Sequence, residues 1–105
     1  MLFSADGRIL LATKMPDENG EVIIPEQTQI IGTKAFSGQA ITKIRIPDSV
    51  TMIAREAFMA DSMLEEVEFP EGLETIGTGA FMYTALKKVD IPDSVKTIGE
   101  QAFYY

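Results

Sequence analysis

Apolar and polar positions alternate along this chain on two scales. On the short scale, Ile44-Arg45-Ile46, Val67-Glu68-Phe69 and Val89-Asp90-Ile91 each set apolar residues on one face and a charge on the other. That is the period of a strand buried on one side, so short strands are expected near 44–46, 67–69 and 89–91, parallel and adjacent. On the long scale, Pro25, Pro47, Pro70 and Pro92 stand 22, 23 and 22 residues apart, and Phe36, Phe58, Phe81 and Phe103 repeat those spacings. Ile31, Ile53, Ile76 and Ile98 keep the same register, as do the alanines before each phenylalanine. Several columns in one register define a repeat, and a repeat of this length implies units that stack.

Each column has a physical reading. Proline lacks a backbone donor and ends each strand. Asp-Ser or Glu-Gly then makes a turn. Val50, Ile53, Ala57 and Phe58 point inward again, at spacings of three and four that suit a short helical or irregular return. Gly32, Gly77 and Gly99 follow the inward isoleucine, where a positive φ or a close approach between units favours glycine; Ala54 takes that place in the second copy. No unit can bury its apolar side alone, so stacking should build one core in which Phe36, Phe58, Phe81 and Phe103 form a single buried column. Ahead of the repeats, Asp6-Gly7 between apolar stretches reads as a two-residue hairpin covering the N-terminal end of the stack. Lys14–Glu21 reads as a loop.

With 105 residues the chain makes one domain. It divides into a hairpin and loop (1–20) and repeats at about 21–40, 41–63, 64–85 and 86–105. A net charge of −7 argues against nucleic acid and against anionic membrane surfaces. There is no apolar run long enough to span a membrane, so no membrane insertion is expected, and the first residues lack the form of a signal peptide.

The residue inventory points away from catalysis. With no His and no Cys, the commonest general base, the thiol nucleophile and the main zinc ligands are missing. The expectation is a protein that is not an enzyme and carries no cofactor. Ser49 beside Asp48 and Ser94 beside Asp93 share a repeat phase, and read as turn residues bonding their own backbone rather than as nucleophiles. The acidic run Asp61–Glu74 has no EF-hand spacing and reads as a solvated face rather than a calcium site. Gly77–Gly79 lacks the lysine and glycine spacing of a phosphate loop. Met59, Met82 and Tyr104 share one phase, as packing along an edge or as an adaptable binding ridge.

The outward strand positions carry the candidate site. Unit by unit they are Glu21 and Ile23, Lys43 and Arg45, Glu66 and Glu68, Lys88 and Asp90. Opposite charges follow one another from unit to unit, except that Asp90 follows Glu68. Such a ladder fixes register; it also makes an interaction face of the kind other solenoids use. A second candidate surface is the C-terminal end, where Val95, Ile98, Phe103, Tyr104 and Tyr105 are expected to stay uncovered and to support a homodimer.

The repeat LKKVDIPDSVKTIGEQAF at Leu86–Phe103, with LEEVEFPEGLETIGTGAF and ITKIRIPDSVTMIAREAF before it, resembles the BspA-like, or Treponema pallidum type, leucine-rich repeats. The opening segment with its DG hairpin is similar to segments that interrupt such arrays. The resemblance covers essentially the whole chain. It implies a right-handed leucine-rich-repeat solenoid of the α/β type, about four rungs long, with short parallel strands on a concave face. Family members often carry Gly-Cys after the phenylalanine; this chain has Ser-Gly, Met-Ala, Met-Tyr and Tyr-Tyr. The resemblance further implies a longer array continuing on both sides, in a bacterial surface or secreted protein that adheres to a host extracellular protein or other cells. The expected function is a non-catalytic protein-interaction module, with a structural spacer between flanking repeats as the alternative.

Overall fold

The computed structural model describes residues 2–12 and 20–104. It is a β-solenoid of about four turns whose rungs carry strands on two sides. One side is a three-stranded parallel sheet of β3 (Glu21–Ile23), β5 (Lys43–Arg45) and β7 (Glu66–Glu68), in that order. The other is a six-stranded sheet in the order β1-β2-β4-β6-β8-β9, formed by β1 (Leu2–Phe3), β2 (Ile9–Ala12), β4 (Ile30–Ile31), β6 (Met52–Ile53), β8 (Thr75–Ile76) and β9 (Thr97–Ile98). All neighbours pair in parallel except β1 with β2.

The second sheet is the main departure from expectation. Among the described residues no helix forms, so the α/β character expected of the repeat is absent there. Ile31, Ile53 and Ile76 sit in strands two residues long, directly over one another. The path onward to each phenylalanine is a pair of successive tight turns: Ala35 N–H donates to Gly32 O and Ser37 N–H to Lys34 O. These turns demand left-handed backbone at fixed places. Residues two before the phenylalanine have positive φ in every rung, at Lys34 (59°), Glu56 (56°), Gly79 (64°) and Gln101 (56°). Residues two after it do so at Gly38, Ala60 and Tyr83. The glycines after the inward isoleucine serve close approach instead: a Cβ on Gly77 would lie 2.6 Å from Arg55 N.

The core runs along the stack between the two sheets. Phe36, Phe58 and Phe81 are fully buried, with ring centroids 4.9 Å apart and planes within 5°. The separation matches the strand spacing of the ladders, so identical rings stack because identical backbones do. Phe103 continues the column at 5.4 Å and is only half buried. Phe69 meets Phe81 edge-on at 5.6 Å.

The hairpin at the N-terminal end forms, with a longer connection than a two-residue turn. Ser4 N–H bonds Ile9 O, and residues 5–8 make the loop. Asp6 organises it by accepting from Ser4 Oγ (2.7 Å), Arg8 N–H (3.2 Å) and Arg8 Nε (2.8 Å). The Ser4 hydroxyl, with Arg8, holds this carboxyl down at about 2. β2 is itself a rung, with Leu10 fully buried beside Ile31. The loop expected at Lys14–Glu21 falls mostly outside the described residues, and Glu21 opens β3.

The strand expected at 89–91 does not form, although Leu86–Phe103 repeats the motif closely. The fourth rung holds at both ends: Ala85 N–H bonds Leu64 O, and Ser94 Oγ bonds Leu73 O at 2.7 Å. Between them it stands off β7 around a crevice of about 390 Å³ lined by Phe69, Glu71 and 90–94. Pairing there would set Asp90 against Glu68, and like charges directly opposite oppose pairing.

Candidate interaction surfaces

Alternation within β5 and β7 sends the central residue inward and its neighbours outward. Ile44 is buried between Lys43 and Arg45, and Val67 half-buried between Glu66 and Glu68. The register brings the predicted residues together in two rows: Glu21, Lys43 and Glu66 in one, Ile23, Arg45 and Glu68 in the other. Lys88 and Asp90 are exposed but lie outside the sheet, so the rows end at the third rung.

The ladder of alternating charge is realised in one row. Arg45 reaches Glu68 at 3.8 Å on the next rung and Glu26 at 3.5 Å on the previous one. All three side chains are well exposed, so these pairs steer orientation more than they stabilise. Glu26 was not among the outward strand positions, because it sits after the proline; the acid there recurs as Asp48, Glu71 and Asp93. Beside Arg45, Ile23 is 87% exposed on the edge strand β3. A groove of about 400 Å³ runs along it, lined mainly by apolar surface of residues 22–25 and flanked by Lys43 and Arg45.

The serines of the Asp-Ser turns do not bond their own backbone. Ser49 Oγ donates to Thr28 O, and Ser94 Oγ to Leu73 O, each a carbonyl of the preceding rung. Their hydroxyls tie rungs together.

The acidic run divides by environment. Glu65, Glu66, Glu68, Glu71 and Glu74 are exposed. Among the described residues no group of three or more acids converges to hold a metal ion. Asp61 alone is fully buried. Its Oδ1 accepts Gln39 N–H at 2.7 Å from the rung before, while its Oδ2 has no partner. Burial raises its carboxyl to about 7, against the Gln39 and Gly38 N–H groups that favour the ionised form. Within a run of acids no sequence signal separated Asp61 from the rest. It lies where the repeat gains its extra residue, between Phe58 and Pro70.

The C-terminal end carries Ile98 at 48% and Tyr104 at 51% exposure, with Val95 and Phe103 half-buried. Tyr83, absent from the predicted set, meets Tyr104 edge-on at 5.9 Å. Met59 and Met82 are half-buried along that phase. Tyr105 lies outside the described residues.

Among solved structures, the chain is similar to a leucine-rich cell surface protein of Faecalibacterium prausnitzii, with 30% identity and a TM-score of 0.86 over 97% of this chain and 28% of that one. It is also similar to the pneumococcal vaccine antigen PcpA, with 28% identity and a TM-score of 0.83 over 92% of this chain and 24% of that one. A leucine-rich repeat protein of Bacteroides capillosus matches at 33% identity and a TM-score of 0.79, over 91% of this chain and 79% of that one. The chain thus spans about a quarter of the length of the first two. No curated protein matches it. The family model for the BspA type leucine rich repeat region matches residues 18–105. Its period, its stacked phenylalanines and this match agree: the chain belongs to the BspA-type leucine-rich repeat family.

Proposed function

We propose that this chain is a non-catalytic protein-interaction module of a bacterial cell-surface or secreted protein, adhesin-like in its use, and that its partner is a host extracellular protein. The partner is taken on the outward face of the three-stranded sheet, as the concave side of a right-handed solenoid; right-handed crossovers are the rule between parallel strands. The observation that carries this reading is Ile23, an apolar side chain 87% exposed on an edge strand, opposite Arg45 and beside an apolar groove that Lys43 and Arg45 also line. An apolar anchor ringed by charge suits recognition of a partner with complementary carboxylates. The cell-surface protein and the vaccine antigen among its structural relatives support the location.

The test is capture of purified extracellular-matrix proteins by the immobilised chain. Lys43→Glu with Arg45→Glu is expected to weaken capture and change its salt dependence, while the far-ultraviolet spectrum stays that of the folded chain. Capture unchanged by the double substitution moves the site off this face. A second reading, a structural spacer between flanking repeats, draws on the chain's short span against the first two relatives. It predicts no capture at all.

A further inference from the structure

The third and fourth rungs are bonded on either side of a gap. Ala85 N–H reaches Leu64 O at 3.0 Å before it, and Lys96 N–H reaches Glu74 O at 2.8 Å after it. Between these bonds lies the crevice of about 390 Å³, and both of its walls are described. One wall is β7. Ile46 N–H donates to Glu68 O at 3.0 Å, and in a parallel ladder alternate residues bond to opposite neighbours. Glu66 and Glu68 therefore turn their backbone groups to β5, while Val67 turns its N–H and C=O, and Phe69 its N–H, to the crevice. No described residue bonds these groups. The side chains are less covered as well: Phe69 is half-buried, where its counterpart Ile46 in the second rung is 2% exposed. A strand with one paired side and one free side is a template for a further strand.

The charge on the walls says what that strand would carry. Glu66, Glu68 and Glu71 stand on one side and Lys88, Asp90 and Asp93 on the other, five acids to one base, all exposed. Among the described residues, no ion pair reaches Glu71, Asp90 or Asp93. A cation inserted between Glu68 and Asp90 would turn the like-charge conflict of the two walls into two attractions. On its paired side, β7 already shows the pattern it accepts. Lys43-Ile44-Arg45 lies along it, with Lys43 opposite Glu66, Arg45 opposite Glu68 and Ile44 inward beside Val67. In a folded copy of this chain β5 is itself paired on both sides, so the same pattern has to come from another protein.

We propose that the crevice between β7 and residues 90–94 takes an extended segment of a partner protein in which basic and apolar residues alternate, added as a strand along β7 with a Lys or Arg between Glu68 and Asp90. This site lies two rungs from the Ile23 groove and selects the opposite charge. The probe is the end-blocked, fluorescently labelled peptide ITKIRIP, copied from residues 41–47, titrated with the 105-residue chain and read by anisotropy. Saturable binding is expected, weakening as salt rises. The same peptide with Glu in both basic places should bind about tenfold more weakly or less. Asp90→Lys, which lets residues 89–91 pair with β7 and close the crevice, should abolish binding; Ile23→Lys at the far groove should leave it unchanged. In the complex, amide exchange at Val67 and Phe69 should slow, which attraction between charges alone would not produce. Circular dichroism of each variant confirms folding, and the acidic peptide tests the parent chain independently should Asp90→Lys unfold. No binding of ITKIRIP, equal binding of the acidic peptide, binding kept in a folded Asp90→Lys or lost in Ile23→Lys, or unprotected amides at Val67 and Phe69 overturns the proposal.

Discussion

The buried Oδ1 of Asp61 takes the backbone N–H of Gln39, 22 residues earlier in the chain, at 2.7 Å, and so joins the turn of one rung to the next. Its other oxygen has no partner, and burial raises the group from 3.8 to about 7. A carboxyl whose folded value is raised binds its proton more tightly in the folded state. Its stabilising contribution is full below pH 4 and is lost as pH climbs through 7. Asp61→Asn keeps the acceptor and removes the titration. The stability of the parent relative to the variant should fall between pH 4 and pH 8 by up to about 4 kcal/mol, read from urea midpoints. A difference that does not change with pH would refute this account.

The phenylalanine column predicts a graded series. Phe58→Ala removes a ring packed on both faces and should cost about 3–5 kcal/mol. Phe103→Ala removes one packed on a single face and half-buried, so its cost should be clearly smaller. Equal losses at the two positions would show that the column is not stacked as described.

Left-handed backbone at Ala60, with φ 64°, is strained for a residue with a Cβ. The matching residue one rung earlier is Gly38, with φ 71°. Ala60→Gly should therefore stabilise the chain by about 1 kcal/mol, against the usual sense of an alanine-to-glycine change. Thermal denaturation gives the sign; a destabilised variant contradicts the backbone assigned here.

Asp90→Lys replaces a like charge opposite Glu68 with an opposite one. Residues 89–91 should then pair with β7 as a fourth strand, adding about 0.2–1 kcal/mol. Amide exchange at Lys88 and at position 90, whose N–H groups would face β7, should slow markedly relative to the parent chain. Exchange that stays fast would place the cause of the missing strand elsewhere.

The core was readable from the chain because burial selects residue type: Phe36, Phe58 and Phe81, and Ile31, Ile53 and Ile76, announce themselves by spacing. The second sheet was not, because strands of two residues such as Thr75-Ile76 leave no alternation to detect. The left-handed positions were hidden by their occupants. Lys34, Glu56, Ala60, Tyr83 and Gln101 carry no glycine signal, and only Gly38 and Gly79 do among these turn positions. The candidate face was partly legible. Strand parity gave Lys43, Arg45, Glu66 and Glu68, while the reach of Glu26 across the proline turn depends on side-chain geometry. The Glu68–Asp90 conflict was visible in the spacing, but its effect on the fourth strand emerged only in the fold.

Because each rung bonds only to its neighbours, the fold is also a device for storing length. Tension applied to the C-terminal end would break the bonds of the fourth rung to the third while those between inner rungs still hold. A rung of 22 residues occupies about 5 Å of the axis when stacked and about 75 Å when drawn out. Pulled from this end, the chain would lengthen in discrete steps of roughly 70 Å, and each step would dissipate mechanical work before the next rung bore the load.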